Sequence, residues 1–131
     1  MKQYSFWIYI LFNERAKATY IGMTNNLERR IIEHKMGLVP GYTKEKNIKK
    51  LGYYEYHQYV DKAIAREKAL KEWRRAWKYR LIETTNPEWR DLAAHIDDYI
   101  ANMPNPDKIP AAAKGFIGPI PASAGMTKIT M

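Results

Sequence analysis

The sequence predicts an α/β (α+β) fold, a small three-stranded antiparallel sheet flanked by helices. Three observations predict it: three short runs rich in aromatic and β-branched residues, amphipathic segments between and after them, and a length of 131 residues, enough for one packed core and short for two.

Ser5 to Phe12 reads as a strand, Asn13 to Lys17 as a polar turn, and Ala18 to Met23 as a second strand, so an antiparallel hairpin is the simplest pairing. Thr24 or Asn25 is expected to cap a helix from about Leu27 to Met36, which Gly37 ends. Gly37 to Lys50 combines Gly, Pro and four lysines without periodicity and reads as a mobile, basic loop. Leu51 to Val60 reads as a third strand, its alternation expected to place Leu51, Tyr53, Glu55, His57 and Tyr59 on one face. Asp61 is expected to cap a long helix to about Trp77, with Ile64, Leu70, Trp73 and Trp77 near its buried side. Lys78 to Glu83 reads as a short helix. Asn86-Pro87 is a start signal for a last amphipathic helix carrying Trp89, Leu92, Ala93, Ile96 and Ile100. From Met103 onward Pro, Ala and Gly dominate without a sustained period. The expected division is a domain over residues 1–102 and a poorly ordered tail over 103–131.

Charge narrows the function. The chain has a net charge of +8, and residues 1–80 hold the excess, with 18 Lys and Arg against 8 Asp and Glu. A polyanionic partner fits, either nucleic acid or an acidic membrane surface. No apolar run approaches the roughly 18 residues of a membrane span, and the run from Tyr4 to Phe12 is too short and too rich in strand formers to be a secretory leader. The absence of cysteine excludes disulfides and thiolate zinc sites and is compatible with a reducing cytosol, so a soluble, cytoplasmic protein is expected.

Helix spacing selects the candidate site. Arg30 and His34 are four apart and share one helix face, directly after a hairpin that carries Tyr9 and Tyr20. An isolated arginine on an amphipathic helix is usually just solvated. Glu67 and Lys71 would form an ordinary i,i+4 pair, yet Glu67 is an acid within a strongly basic helix, where it weakens polyanion binding unless it holds a cation.

These residues resemble a known family. Trp7-Ile8-Tyr9 and Tyr20-Ile21-Gly22, followed by Thr24, Leu27, Arg30 and His34, are similar to the signature of the GIY-YIG endonucleases. "AIAREKALKEWRRAWK" and "LIETTNPEW" resemble its small stand-alone, single-domain branch, and the likeness covers about residues 4–92. The resemblance implies that Tyr9 and Tyr20 handle protons at the attacking water, that Arg30 meets the scissile phosphate, that Glu67 binds the metal, and that Asn86 contacts phosphate or organises the site. His34 matches a position often polar in that family. Trp7 stands where the name-giving glycine would be, and Met23 where other members have a lysine.

The chemistry is consistent with that likeness. Phosphodiester hydrolysis needs an activated water, stabilised phosphoryl oxygens and help for the leaving oxygen. Two-metal nucleases need several carboxylates around ions about 3.5–4 Å apart, and no paired-acid motif occurs. A lone Glu67 suffices for one Mg²⁺ (or Mn²⁺) that keeps its waters and substrate oxygens. The expectation is a one-metal endonuclease acting on DNA more than RNA, with little sequence preference. Lys44, Lys46, Lys49, Lys50, Lys71, Arg74 and Arg75 are the expected nucleic-acid contacts. A nucleic-acid binder without turnover is the alternative, and the sequence leaves the oligomeric state open.

Overall fold

The computed structural model describes residues 5–102 and the backbone of residues 126–127. Strands β1 (Phe6–Phe12) and β2 (Thr19–Thr24) form the expected antiparallel hairpin, with Tyr9 opposite Gly22 and Leu11 opposite Tyr20. Helices α1 (Leu27–Lys35) and α2 (Tyr42–Glu45) follow, then β3 (Lys50–His57), which pairs antiparallel with β1. Helices α3 (Val60–Glu72), α4 (Arg75–Thr85) and α5 (Ala94–Ala101) complete the domain. Residues 126–127 add a two-residue strand, β4, parallel to β3, giving the sheet order β2-β1-β3-β4. The remainder of the expected tail, residues 103–125 and 128–131, lies outside the described residues.

The sheet is covered on both faces, and the alternation of β1 sorts its residues between two cores. Tyr9 and Leu11 pack with Leu27, Ile31, Tyr54 and Ile96 under α1 and α5. Ile8 and Ile10 pack with Ile21, Tyr53, Leu70 and Ile82 under α3 and α4. Central β1 therefore reads as one continuous apolar run rather than a half-polar alternation.

Several boundaries differ from the sequence expectation. Asn26, not Thr24 or Asn25, caps α1, accepting a hydrogen bond from the Arg29 amide. Thr24 instead receives the Asn26 amide on its hydroxyl, holding the turn in front of the cap. The basic loop contains α2, entered through Gly41 at φ 97°, a backbone region that favours glycine. A bulge at Gly52 moves Ile10 opposite Tyr53 and Leu11 opposite Leu51, so Leu51 joins the first core while Tyr53 joins the second. Strict alternation had put them on one face.

The long helix expected to run to Trp77 is two helices. Trp73 and Arg74 are both extended, with ψ of 149° and 153°, and the break lets Ile82 of α4 reach the second core. Ile64 and Trp77, expected to be buried, are 39% and 47% exposed. Asn86 does not start a helix; it ends α4, and its side chain closes the turn to Arg90. The last helix begins only at Ala94, after Asp91 accepts a hydrogen bond from the Ala93 amide.

Candidate functional site

Tyr9 is the centre of the candidate site. Its ring lies across Gly22 of β2, its side chain is almost fully buried, and its hydroxyl meets two side chains of α1. Arg30 Nε donates to the Tyr9 oxygen at 3.4 Å, and His34 Nε2 lies 3.1 Å from it. Arg30 and His34 are one turn apart, so α1 presents both to one phenol. Tyr20 completes an aromatic triangle, with ring centroids 6.3 Å from Tyr9 and 5.5 Å from His34.

The electrostatics of this group follow from its burial. Desolvation pushes the Tyr9 phenol up to about 12, with Arg30 opposing the shift and the charges of Tyr20 and Glu67 adding to it. Burial, reinforced by the Arg30 charge, drives His34 down to about 4. Neutral imidazole and neutral phenol therefore coexist at pH 7. Because guanidinium can only donate, the phenol oxygen accepts from Arg30 and can give its own proton to His34 Nε2. Arg30 Nη1 also holds Glu33 at 3.1 Å, while a third of the Arg30 side chain stays exposed for an incoming anion.

Glu67 is on α3, within electrostatic reach of the Tyr9 phenol. Its carboxylate meets Lys71 Nζ at 3.2 Å, and that lysine is more than half exposed. Among the described residues no cluster of three or more His, Asp or Glu side chains could hold a metal. A lone carboxylate such as Glu67 could hold a hard cation only if water or substrate oxygens supplied the other ligands.

Asn86 stands apart from this group. Its amide donates to Gly52 O at 3.2 Å and to Arg90 O at 2.8 Å, and its oxygen accepts from the Arg90 amide at 3.0 Å. Both donors are committed to backbone. The expected nucleic-acid contacts fall into two groups. Lys46, Lys49 and Lys50 line a polar hollow of about 560 Å³ that also contains Arg15, Lys35, Glu14, Glu45, Asp91 and Asp97, where Lys35 takes up both Asp91 and Asp97; Lys44 is exposed on α2. Lys71, Arg74 and Arg75 are exposed around the end of α3.

A second polar cluster escaped the sequence reading. Glu55, fully buried on β3, accepts from Tyr53 at 2.6 Å and from Arg66 Nε at 2.8 Å, and meets His57 Nε2 at 2.7 Å. In the sequence Arg66 is one of several cations in the basic helix that carries Glu67. The available signal was an acid inside a run of buried tyrosines, which requires a cation close by.

The GIY-YIG catalytic domain model matches residues 5–80 of the chain. The chain is also similar to the UPF0213 protein CPE1444 of Clostridium perfringens (strain 13 / Type A), 36% identical over 78 residues that make up 60% of this chain and 83% of that relative. No solved structure matches it.

Proposed function

The chain belongs to the GIY-YIG catalytic-domain family, a family of nucleases, and from that premise we propose that it is a metal-dependent endonuclease cutting DNA by a one-metal mechanism in the cytoplasm. The observation that carries this reading is the Tyr9 hydroxyl, held by Arg30 on one side and facing His34 on the other.

In the proposed step, water attacks the phosphorus as the bond to the leaving sugar oxygen breaks; the water's proton passes to the Tyr9 oxygen, the Tyr9 proton passes to His34 Nε2, and the departing oxygen takes a proton from solvent water. No free phenolate forms, which matters for a phenol raised to about 12. Donors of Arg30 not bound to Tyr9 or Glu33 stabilise the charge that develops on the phosphoryl oxygens. Glu67 would hold the divalent cation, which when bound would supply further charge stabilisation near the phosphate. Tyr20 packs beside Tyr9 and His34 and orients them, and Asn86 organises the fold around β3 rather than touching phosphate. Basic side chains meeting the sugar-phosphate backbone give little sequence preference. Among the described residues no helix is long and apolar enough to cross a membrane.

The test is cleavage of labelled linear, nicked, branched and single-stranded DNA, with matching RNA, in Mg²⁺ and in EDTA. Wild-type protein should cut in Mg²⁺ only. Glu67→Gln should lose cleavage while retaining DNA in a gel shift. Full activity in EDTA would defeat the metal reading, and binding without any cleavage would leave the protein a binder.

A further inference from the structure

The break between α3 and α4 leaves a shallow groove of about 420 Å³, lined by Trp73, Trp77, Arg80, Leu81 and Thr84. None of these residues belongs to the group around Tyr9. Trp77 is 47% exposed, a large indole face open to water. It meets half-buried Trp73 edge to face, with ring centroids 6.0 Å apart and planes at 87°. The Arg74 guanidinium lies 5.6 Å from the Trp77 ring centroid, and Arg66 lies 5.4 Å from that of Trp73.

Among the described residues no acidic side chain lines the groove. The flanking chain from Leu70 to Leu81 carries Lys71, Arg74, Arg75, Lys78 and Arg80 against Glu72 alone. An exposed aromatic face favours a flat, apolar ring, and the surrounding cations favour an anion. A base on its sugar-phosphate backbone offers both at once. A purely apolar protein segment would leave the cations without counter-charge, and an acidic peptide would leave the indole with nothing flat to stack on.

We propose that this groove is a stacking site for an unpaired nucleobase, with Trp77 as the platform, Trp73 as the wall, and Arg74 and Arg80 holding the adjoining phosphates. The assignment rests on the nucleic-acid reading above and narrows it to strands that present bases outside a duplex. Trp73 is six residues beyond Glu67, about 9 Å along the helix axis, with Lys71 between them.

The test compares two single strands that differ only in their bases: a twelve-residue oligothymidine and an abasic strand of the same length. Binding of the full chain is measured in EDTA, so that cleavage plays no part. The expected result is about tenfold tighter binding of the oligothymidine, lost in Trp77→Ala and partly kept in Trp77→Phe, with abasic binding unchanged. Equal affinity for both strands would overturn the stacking site while leaving a nucleic-acid protein. No binding to either strand would overturn the nucleic-acid reading as well. Trp77→Ala should also leave the sedimentation coefficient unchanged; a Trp77-dependent dimer would mean that a second copy covers the groove and would defeat the proposal.

Discussion

The phenol of Tyr9 occupies the space where Gly22 would carry a side chain. A Cβ built on Gly22 overlaps the Tyr9 hydroxyl and Cζ, although the two residues face each other in an ordinary antiparallel register. The glycine is therefore required for space and not for backbone freedom. Gly22→Ala should displace the phenol from Arg30 and His34. We expect single-turnover cleavage to fall by roughly 10²-fold, as for a misplacement of about 1 Å, with a stability loss of about 1–3 kcal/mol from overpacking. An alanine variant cutting at the wild-type rate would show that the position of the phenol is not critical.

The two tyrosines should separate in their effects. Tyr9 hydrogen-bonds to both Arg30 and His34, whereas Tyr20 meets the group through ring contacts. Tyr9→Phe removes the oxygen that relays the proton and should cost about 10²–10⁴-fold in single-turnover rate; Tyr20→Phe should cost less. Circular dichroism and DNA affinity should be unchanged in both. Wild-type rates from Tyr9→Phe would remove the relay from the mechanism.

Arg66 should matter to folding far more than its neighbours on the same basic stretch. Removing it leaves the fully buried Glu55 carboxylate without its guanidinium, and breaking such a pair costs about 3–5 kcal/mol. Arg75, exposed at the start of α4, should cost less than about 0.5 kcal/mol when changed to alanine. Urea unfolding of Arg66→Ala and Arg75→Ala side by side reads the difference. Equal midpoints would mean that Tyr53 and His57 alone can hold the Glu55 charge.

Stability should respond to pH through two groups of opposite sign. His34, lowered to about 4 from 6.5, contributes stability that is present above pH 6.5 and lost as pH falls toward 4. Burial raises Glu28 from 4.5 to about 7, and one of its oxygens has no hydrogen-bond partner among the described residues. Its contribution is present below pH 4.5 and lost as pH rises to about 7. Glu28→Gln should therefore match wild type near pH 4.5 and exceed it in urea midpoint at pH 7.5. A variant less stable than wild type at pH 7.5 would mean that the ionised carboxylate is favoured by the N-terminus of α1.

The local half of this protein was legible in the sequence. The hairpin, α1 and the union of Tyr9, Arg30 and His34 depend on strand alternation and a one-turn helix spacing, both written in residues 5–36. What escaped depends on distant partners. Nothing near Trp73 is a helix breaker; α3 ends there because Ile82 has a core to fill. The bulge at Gly52 is set by pairing with a strand about forty residues earlier, and a side chain at Gly52 would crowd the Phe12 ring. Asn86-Pro87 carries the residues of a helix start, but Asn86 finds its partners on β3 and Arg90.

The irregular stretch from Asn86 to Leu92 also bears on self-association. Along the outer side of β3, Asp91 Oδ1 accepts the Leu51 amide, the Leu92 amide donates to Leu51 O, and Asn86 donates to Gly52 O. Farther along, Tyr54 and Glu55 pair with β4. An open strand edge is a template on which another chain can add its own strand. Here that edge is already occupied by the molecule's own side chains and backbone, and the carboxylate at its first rung is fastened to Lys35 of α1 at 2.6 Å. Addition of another chain's strand along β3 from Leu51 to Glu55 is thereby blocked.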